Sequence, residues 1–100
     1  MSFVQQVNAF LAPLDNPRAK MDVMRTLIFL RDLYAQGKVE LEQLRRDFRE
    51  ICRDVLMLIS PNLTEEEVRE RADQVAEELV KRAKVEATLS RLMVRYAPRL

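Results

Sequence analysis

The chain has 100 residues, with 17 Lys and Arg against 16 Asp and Glu, a formal net charge of +1, one Cys and no His. Without His, a Ser-His-Asp triad, a Cys-His pair and a Cys/His zinc site are all excluded within this chain. A single Cys also excludes an internal disulfide. Hydrophobic residues make up 48% of the sequence, which suits a single domain over residues 1–100 with one core.

The composition favours helices throughout the chain. One Gly and four Pro leave little material for strand turns, whereas residues of high helix propensity are plentiful. We therefore expect an all-α fold. Its predicted architecture is a single small antiparallel bundle of four helices, or five if the last one breaks, with a long C-terminal helix.

Capping signals divide the first part of the chain. Ser2 is a competent N-cap for a first helix that ends near Leu11, shortly before a proline. Asn16, followed by a proline, is expected to cap a second helix that continues to about Gln36. Gly37 suits the left-handed position just past a helix end, which predicts a tight turn before the third helix.

The second helix contains the most apolar stretch of the chain, residues 21–34. Drawn on a helix, its apolar side chains cover most of the circle. This pattern predicts a helix that is buried among several neighbours or shared between the core and a second chain. Phe29 and Leu33 lie toward the polar strip of the helix, so we predict that they contact a second chain.

The third helix, expected from about Val39 to Ile59, has the most regular apolar repeat. Spacings of 3, 4, 3, 4 and 3 predict the seam of an antiparallel bundle or of a short coiled coil. Cys52 lies on the same apolar side and is interpreted as an unreactive core thiol. The seam residues are Leu41, Leu44, Phe48, Ile51, Val55 and Leu58.

The fourth helix opens with a Thr-x-x-Glu capping box formed by Thr64 and Glu67. Neither Gly nor Pro lies between Thr64 and Ala97, so the helix is expected to continue to about Tyr96, beyond the ends of its neighbours. After Ala83 its apolar stripe turns by about 100° around the axis. This turn indicates a different partner for the last part of the helix. The predicted interface residues there are Leu89, Leu92, Met93 and Tyr96.

Charge divides the fourth helix into two halves. Residues 62–79 contain seven acids and two bases, a balance of −5, whereas residues 80–100 contain six bases and one acid, a balance of +5. The division complements the helix macrodipole, which explains it without any ligand. The alternative is a nucleic-acid-binding helical protein that uses the basic C-terminal segment. Its contact residues would be Lys81, Lys84, Arg91 and Arg95, continued by Arg99.

Two charged residues occupy apolar positions of their helices. Arg31 points into the apolar arc of the second helix, and Glu86 continues the early buried stripe of the fourth. An unpaired buried charge costs several kcal/mol or so. We therefore predict that Arg31 and Glu86 form a buried ion pair, within one chain or between two chains.

Carboxylates are the only candidate catalytic groups. Glu66, Glu67, Glu70 and Asp73 are close together, as a magnesium site would require, but they lie on the exposed side of their helix. Catalysis also needs acids on a facing helix. We therefore predict no enzyme activity, no cofactor and no metal, and we assign no catalytic residue.

The predicted function is protein–protein interaction. The sequence shows neither a signal peptide nor a membrane span, so we expect a cytoplasmic protein without a membrane partner. Thirteen Arg against four Lys would suit a thermophile or a biased genome composition. The apolar second helix and the long fourth helix indicate a self-associating helical bundle, either a homodimer or a subunit of a larger assembly.

Overall fold

The computed structural model describes residues 1–96. This range contains four helices and no strand: α1 (Phe3–Leu11), α2 (Pro17–Ala35), α3 (Leu41–Ile59) and α4 (Glu65–Tyr96). The prediction of an all-α fold with four helices is confirmed. Because α4 is continuous, the described residues contain no fifth helix.

Local sequence signals set the helix starts. The Ser2 hydroxyl accepts a hydrogen bond from the Gln5 backbone N–H, and the Gln5 side chain accepts one from the Ser2 N–H. Thr64 and Glu67 form the same reciprocal pair at α4. Asn16 accepts from the first backbone N–H groups of α2. These caps satisfy donors that the first turn of a helix leaves free.

The end of α2 has the geometry that its glycine predicts. Gly37 has a φ of 75°, in the left-handed region that favours glycine. Its N–H donates to the Tyr34 carbonyl at 3.0 Å, and the Lys38 N–H donates to the Leu33 carbonyl at 2.9 Å. These two bonds are the Schellman motif, which ends α2 and leads the chain into α3.

The helix with the most buried residues is α4, which contacts α1, α2 and α3. Many of its buried residues are alanines, and small side chains allow several neighbours to pack closely around one helix. The facing helices supply the larger core residues, including Phe3 and Phe48, whose ring centroids are 5.8 Å apart. The buried residues of α4 are Val68, Ala72, Val75, Ala76, Leu79, Val80, Ala83 and Ala87.

The second helix is less buried than its composition predicts. Leu27 is the one fully buried residue of α2, whereas Met21 and Phe29 are more than half exposed. The helix does have several neighbours, because it contacts α1, α3 and α4. Its apolar side chains are nevertheless not all buried among them, and the alternative that α2 is shared with a second chain stays a prediction.

The seam of α3 holds along most of its length but not at its end. Val55 is buried as predicted, whereas Leu58 is 68% exposed. Near the end of α3 the buried residues are Cys52 and Leu56 instead. The prediction is wrong at Leu58 because the face of α3 that packs in the core moves round to neighbouring residues.

Candidate interaction surface

The last turns of α4 extend beyond the packed helices. Ala87 is the last buried residue of α4, and every residue from 88 to 96 is exposed. The molecule measures 55 Å along its long axis but only 27 and 21 Å across. We refer to residues 88–96 as the overhang and to residues 1–87 as the body.

One face of the overhang is apolar and continues into the preceding turn at Val85. The exposed fractions of the residues on this face range from 45% at Val85 and Leu92 to 72% at Met93. At 100° per residue, this face lies about 120° around the helix axis from the buried face of α4. A contiguous exposed apolar surface of this kind is a candidate interaction site. The residues of this apolar stripe are Val85, Leu89, Leu92, Met93 and Tyr96.

The start of α1 lies beside the body end of the stripe. The Phe3 backbone N–H donates to Glu86 Oε2 at 2.7 Å, which places the first turn of α1 level with Glu86 and therefore close to Val85. Met1 and Val4, at this end of α1, are exposed apolar residues. Met1 also lines a depression with Glu78 and Leu79 of α4.

Glu86 joins three elements at the base of the overhang. Besides Phe3, it accepts a hydrogen bond from Arg82 Nε at 3.0 Å. Burial acts to raise the pKa of Glu86, but the Phe3 N–H and the guanidinium groups of Arg82 and Arg31 together hold that pKa below its usual value. Glu86 is therefore an ionised cap of α1, held in place by two arginines.

The structure brings Arg31 and Glu86 together within one chain. Arg31 Nη1 lies 3.5 Å from Glu86 Oε1, and the side chains are 22% and 26% exposed. The pair is thus partly exposed, and the prediction that it is buried is wrong in this respect. Arg31 also bonds to Asp32 at 2.9 Å and lies over the Phe3 ring, 5.1 Å from its centroid.

The basic residues of the second half of α4 share one face beside the apolar stripe. All four predicted bases are exposed, and none forms an ion pair with another described residue. The Arg95 guanidinium lies over the neighbouring Tyr96 ring, 5.6 Å from its centroid. Arg99 lies outside the described residues. The four bases are Lys81, Lys84, Arg91 and Arg95.

Phe29 and Leu33 form a separate surface on α2. They face away from the buried Leu27 and line a shallow depression of about 500 Å³. Leu33 is half-buried. The described contacts do not join this surface to the apolar stripe, so the predicted interface residues fall into two separate groups.

A third apolar surface, at the turn between α3 and α4, was missed from the sequence. Met57 and Leu58 are exposed there, and a groove of about 450 Å³ runs past Met57, Leu63 and Val68. The signal was present in the unbroken apolar run of residues 55–59. A helix cannot turn five consecutive side chains toward one core.

The described residues contain no cluster of three acidic, Cys or His residues that could hold a metal ion. Cys52 is fully buried, and burial raises the pKa of its thiol to about 12. No helix in the described range is long and apolar enough to cross a membrane.

The exposed surfaces of the described residues include the apolar stripe, and the basic face runs beside it. Comparison with known proteins adds no relative: no family model matches the chain, and no curated protein or solved structure matches it.

Proposed function

We propose that this protein is a protein–protein interaction module that self-associates through the apolar stripe of its overhang, as a homodimer or within a larger assembly. The observation that supports this proposal is the overhang itself, because none of residues 88–96 is buried on the body. The overhang continues a helix that is already formed in the body, but it lacks the tertiary packing that supplies most helical stability in proteins. Packing against a partner would stabilise this segment and cover its apolar side chains.

Light scattering over a range of concentrations tests the proposal. We expect wild type to approach twice its 11.8 kDa monomer mass as concentration rises. Leu92→Glu places a charge in the stripe and should hold the protein as a monomer. Phe29→Glu is the matched control, because it places the same charge on an exposed apolar residue of α2.

The variants separate the possible interfaces. If only Phe29→Glu loses association, the contact lies at the Phe29 and Leu33 surface and not at the apolar stripe. A monomeric wild type at every concentration contradicts self-association, whatever the interface.

We also propose that the body is an antiparallel bundle. Arg45 Nε lies 2.9 Å from Glu77 Oε2, and Arg49 Nε lies 3.6 Å from Asp73 Oδ1. Later residues of α3 thus pair with earlier residues of α4. This order supports opposite chain directions for the two helices.

The second candidate is nucleic-acid binding by the basic face. It is favoured by the position of the four exposed bases, which fall within about 80° of one another on α4. Binding of a fluorescent random-sequence RNA or DNA should weaken steeply with salt if phosphate contacts dominate. The double variant Arg91→Gln/Arg95→Gln should reduce both the affinity and the salt slope, whereas Arg53→Gln/Arg69→Gln should not. If the protein binds neither RNA nor DNA at low salt, nucleic-acid binding is excluded as its function.

A further inference from the structure

We infer that the occupant of the apolar stripe is the stripe of a second copy, packed antiparallel, with Leu89 of each copy against Leu92 of the other. This inference rests on the self-association proposed above and adds the orientation and register of the contact. It is supported by the spacing of the stripe, its charges, the room around it and its area.

The spacing of the stripe suits a two-helix contact. Val85, Leu89, Leu92 and Tyr96 follow one another at intervals of 4, 3 and 4, the alternation of a coiled-coil seam. When two such segments pack antiparallel about a centre between Leu89 and Leu92, these two residues meet in both halves of the contact. Val85 of each copy then meets Tyr96 of the other, so every seam residue has an apolar partner.

One charged residue, Glu78, favours the antiparallel orientation. In that orientation Arg95 lies beside Thr88 of the second copy, and Met93 lies beside the aliphatic stem of Glu86. In a parallel pair in register, each seam residue would meet its own copy. Glu78 lies on the outward face one heptad before Val85, so a parallel contact extended toward the body would place Glu78 opposite Glu78. It would also align the helix dipoles.

The shape of the molecule also favours this orientation. An antiparallel contact needs only the two overhangs and the adjoining turn that holds Val85, and it places the two bodies at opposite ends of the dimer. In a parallel contact the bodies would lie side by side, with α1 beside the contact face of α4, where Phe3 bonds to Glu86.

The exposed area suits a dimer of modest stability. The stripe exposes about 500 Å² per copy, against roughly 800 Å² per partner in a standard interface. The stripe alone is therefore smaller than a standard interface, which agrees with a dimer of modest stability.

Cysteine cross-linking tests the orientation. Val85→Cys and Tyr96→Cys are oxidised separately and as a mixture, and the products are identified by intact mass. Wild type is the blank, because its own thiol at Cys52 is fully buried. In the antiparallel dimer the two Val85 positions lie about 16 Å apart along the axis, too far for a disulfide. Only the mixture should then yield a cross-linked dimer.

A second pair of variants leaves the stripe intact. Thr88→Cys and Arg95→Cys flank the contact. In the antiparallel dimer, a mixture of the two variants should form a disulfide-linked dimer, whereas each variant alone should form no covalent dimer. Cross-linking of any single variant with itself, in a dimeric wild type, overturns the inference and leaves self-association standing. A dimeric wild type with no cross-link in either mixture also overturns it. A monomeric wild type by light scattering overturns the proposed function as well.

Discussion

Glu86 Oε2 accepts a hydrogen bond from the Phe3 backbone N–H, 2.7 Å away, so a carboxylate near the end of the chain caps its first helix. A negative charge at this position also complements the dipole of α1. With nine residues, α1 is too short to be stable alone. Contacts with α4, including this bond, hold it in place.

Glu86→Gln should lower the free energy of unfolding by about 2 kcal/mol at pH 7, since hydrogen bonds to a charged group contribute more than neutral ones. The glutamine keeps the shape and one acceptor but loses the charge that faces Arg31 and Arg82. Urea unfolding followed by circular dichroism measures the change. Glu66→Gln, at an exposed position of the same helix, is the control and should have little effect.

The stabilising effect of Glu86 should disappear in acid. Its pKa in the folded protein lies below its usual value, which is about 4.3 in an unfolded chain. Its contribution is therefore fully present above that value and is lost as the pH falls through the lower, folded pKa. The difference in stability between wild type and Glu86→Gln should narrow below about pH 4. A difference that stays constant down to pH 2.5 or so would contradict this reading of Glu86.

The Arg31–Glu86 pair should contribute little on its own. The two side chains are partly exposed and their closest atoms are 3.5 Å apart, so solvent screens the attraction. A double-mutant cycle with Arg31→Met and Glu86→Gln, measured by urea unfolding, should give a coupling energy of about 0.5 kcal/mol. A coupling several times larger would mean that the pair is effectively desolvated.

The helix ends could be predicted because their determinants are local. Ser2, Asn16 and Thr64 each bond to backbone groups within three residues, and Gly37 adopts the conformation that few other residues tolerate. Such signals need no knowledge of the tertiary fold. The order of the helices and their boundaries therefore follow from the sequence to within about two residues.

Which helix buries the most residues could not be predicted from apolar content. Residues 21–34 are the most apolar segment, yet α2 has one buried residue whereas α4 has eight, four of them alanines. Small residues let neighbouring helices pack closely against them. The apolar stripe could be predicted because its residues lie at a different angle around the α4 axis from the residues that pack in the body. The position of α1 beside Glu86 could not be predicted, because the Phe3–Glu86 contact joins residues 83 positions apart.

Thr64→Ala should lower the free energy of unfolding by about 1 kcal/mol, because it removes the side-chain acceptor of the α4 capping box. The capping box also lowers the pKa of Glu67, because the Glu67 carboxylate accepts a hydrogen bond from the Thr64 backbone N–H. Thr88→Ala, in the exposed overhang, is the matched control and should be close to neutral. Thermal unfolding of both variants measures the difference, and equal effects would argue against the cap.

Cys52 should not react with thiol reagents in the folded protein. It is fully buried, and burial raises the pKa of its thiol to about 12, so very little thiolate exists near pH 8. Labelling with a disulfide reagent should require urea. Ser90→Cys supplies an exposed thiol in the same molecule, and only that second thiol should react under native conditions. Rapid native labelling of wild type would show that the core opens near Cys52.

A proline in the overhang should destabilise the protein much less than a proline in the body. A proline inside a helix costs about 3 kcal/mol or more, because it removes a backbone hydrogen bond and clashes with the preceding turn. Gln74→Pro, at an exposed position within the body, should therefore destabilise the whole protein. Arg91→Pro should reduce the helical signal of the last turns but leave the unfolding midpoint nearly unchanged when the protein is monomeric. The measurement is urea unfolding by circular dichroism at low protein concentration. Equal destabilisation by the two prolines would mean that the last turns of α4 pack on the body, and the stripe would then be unavailable to a partner.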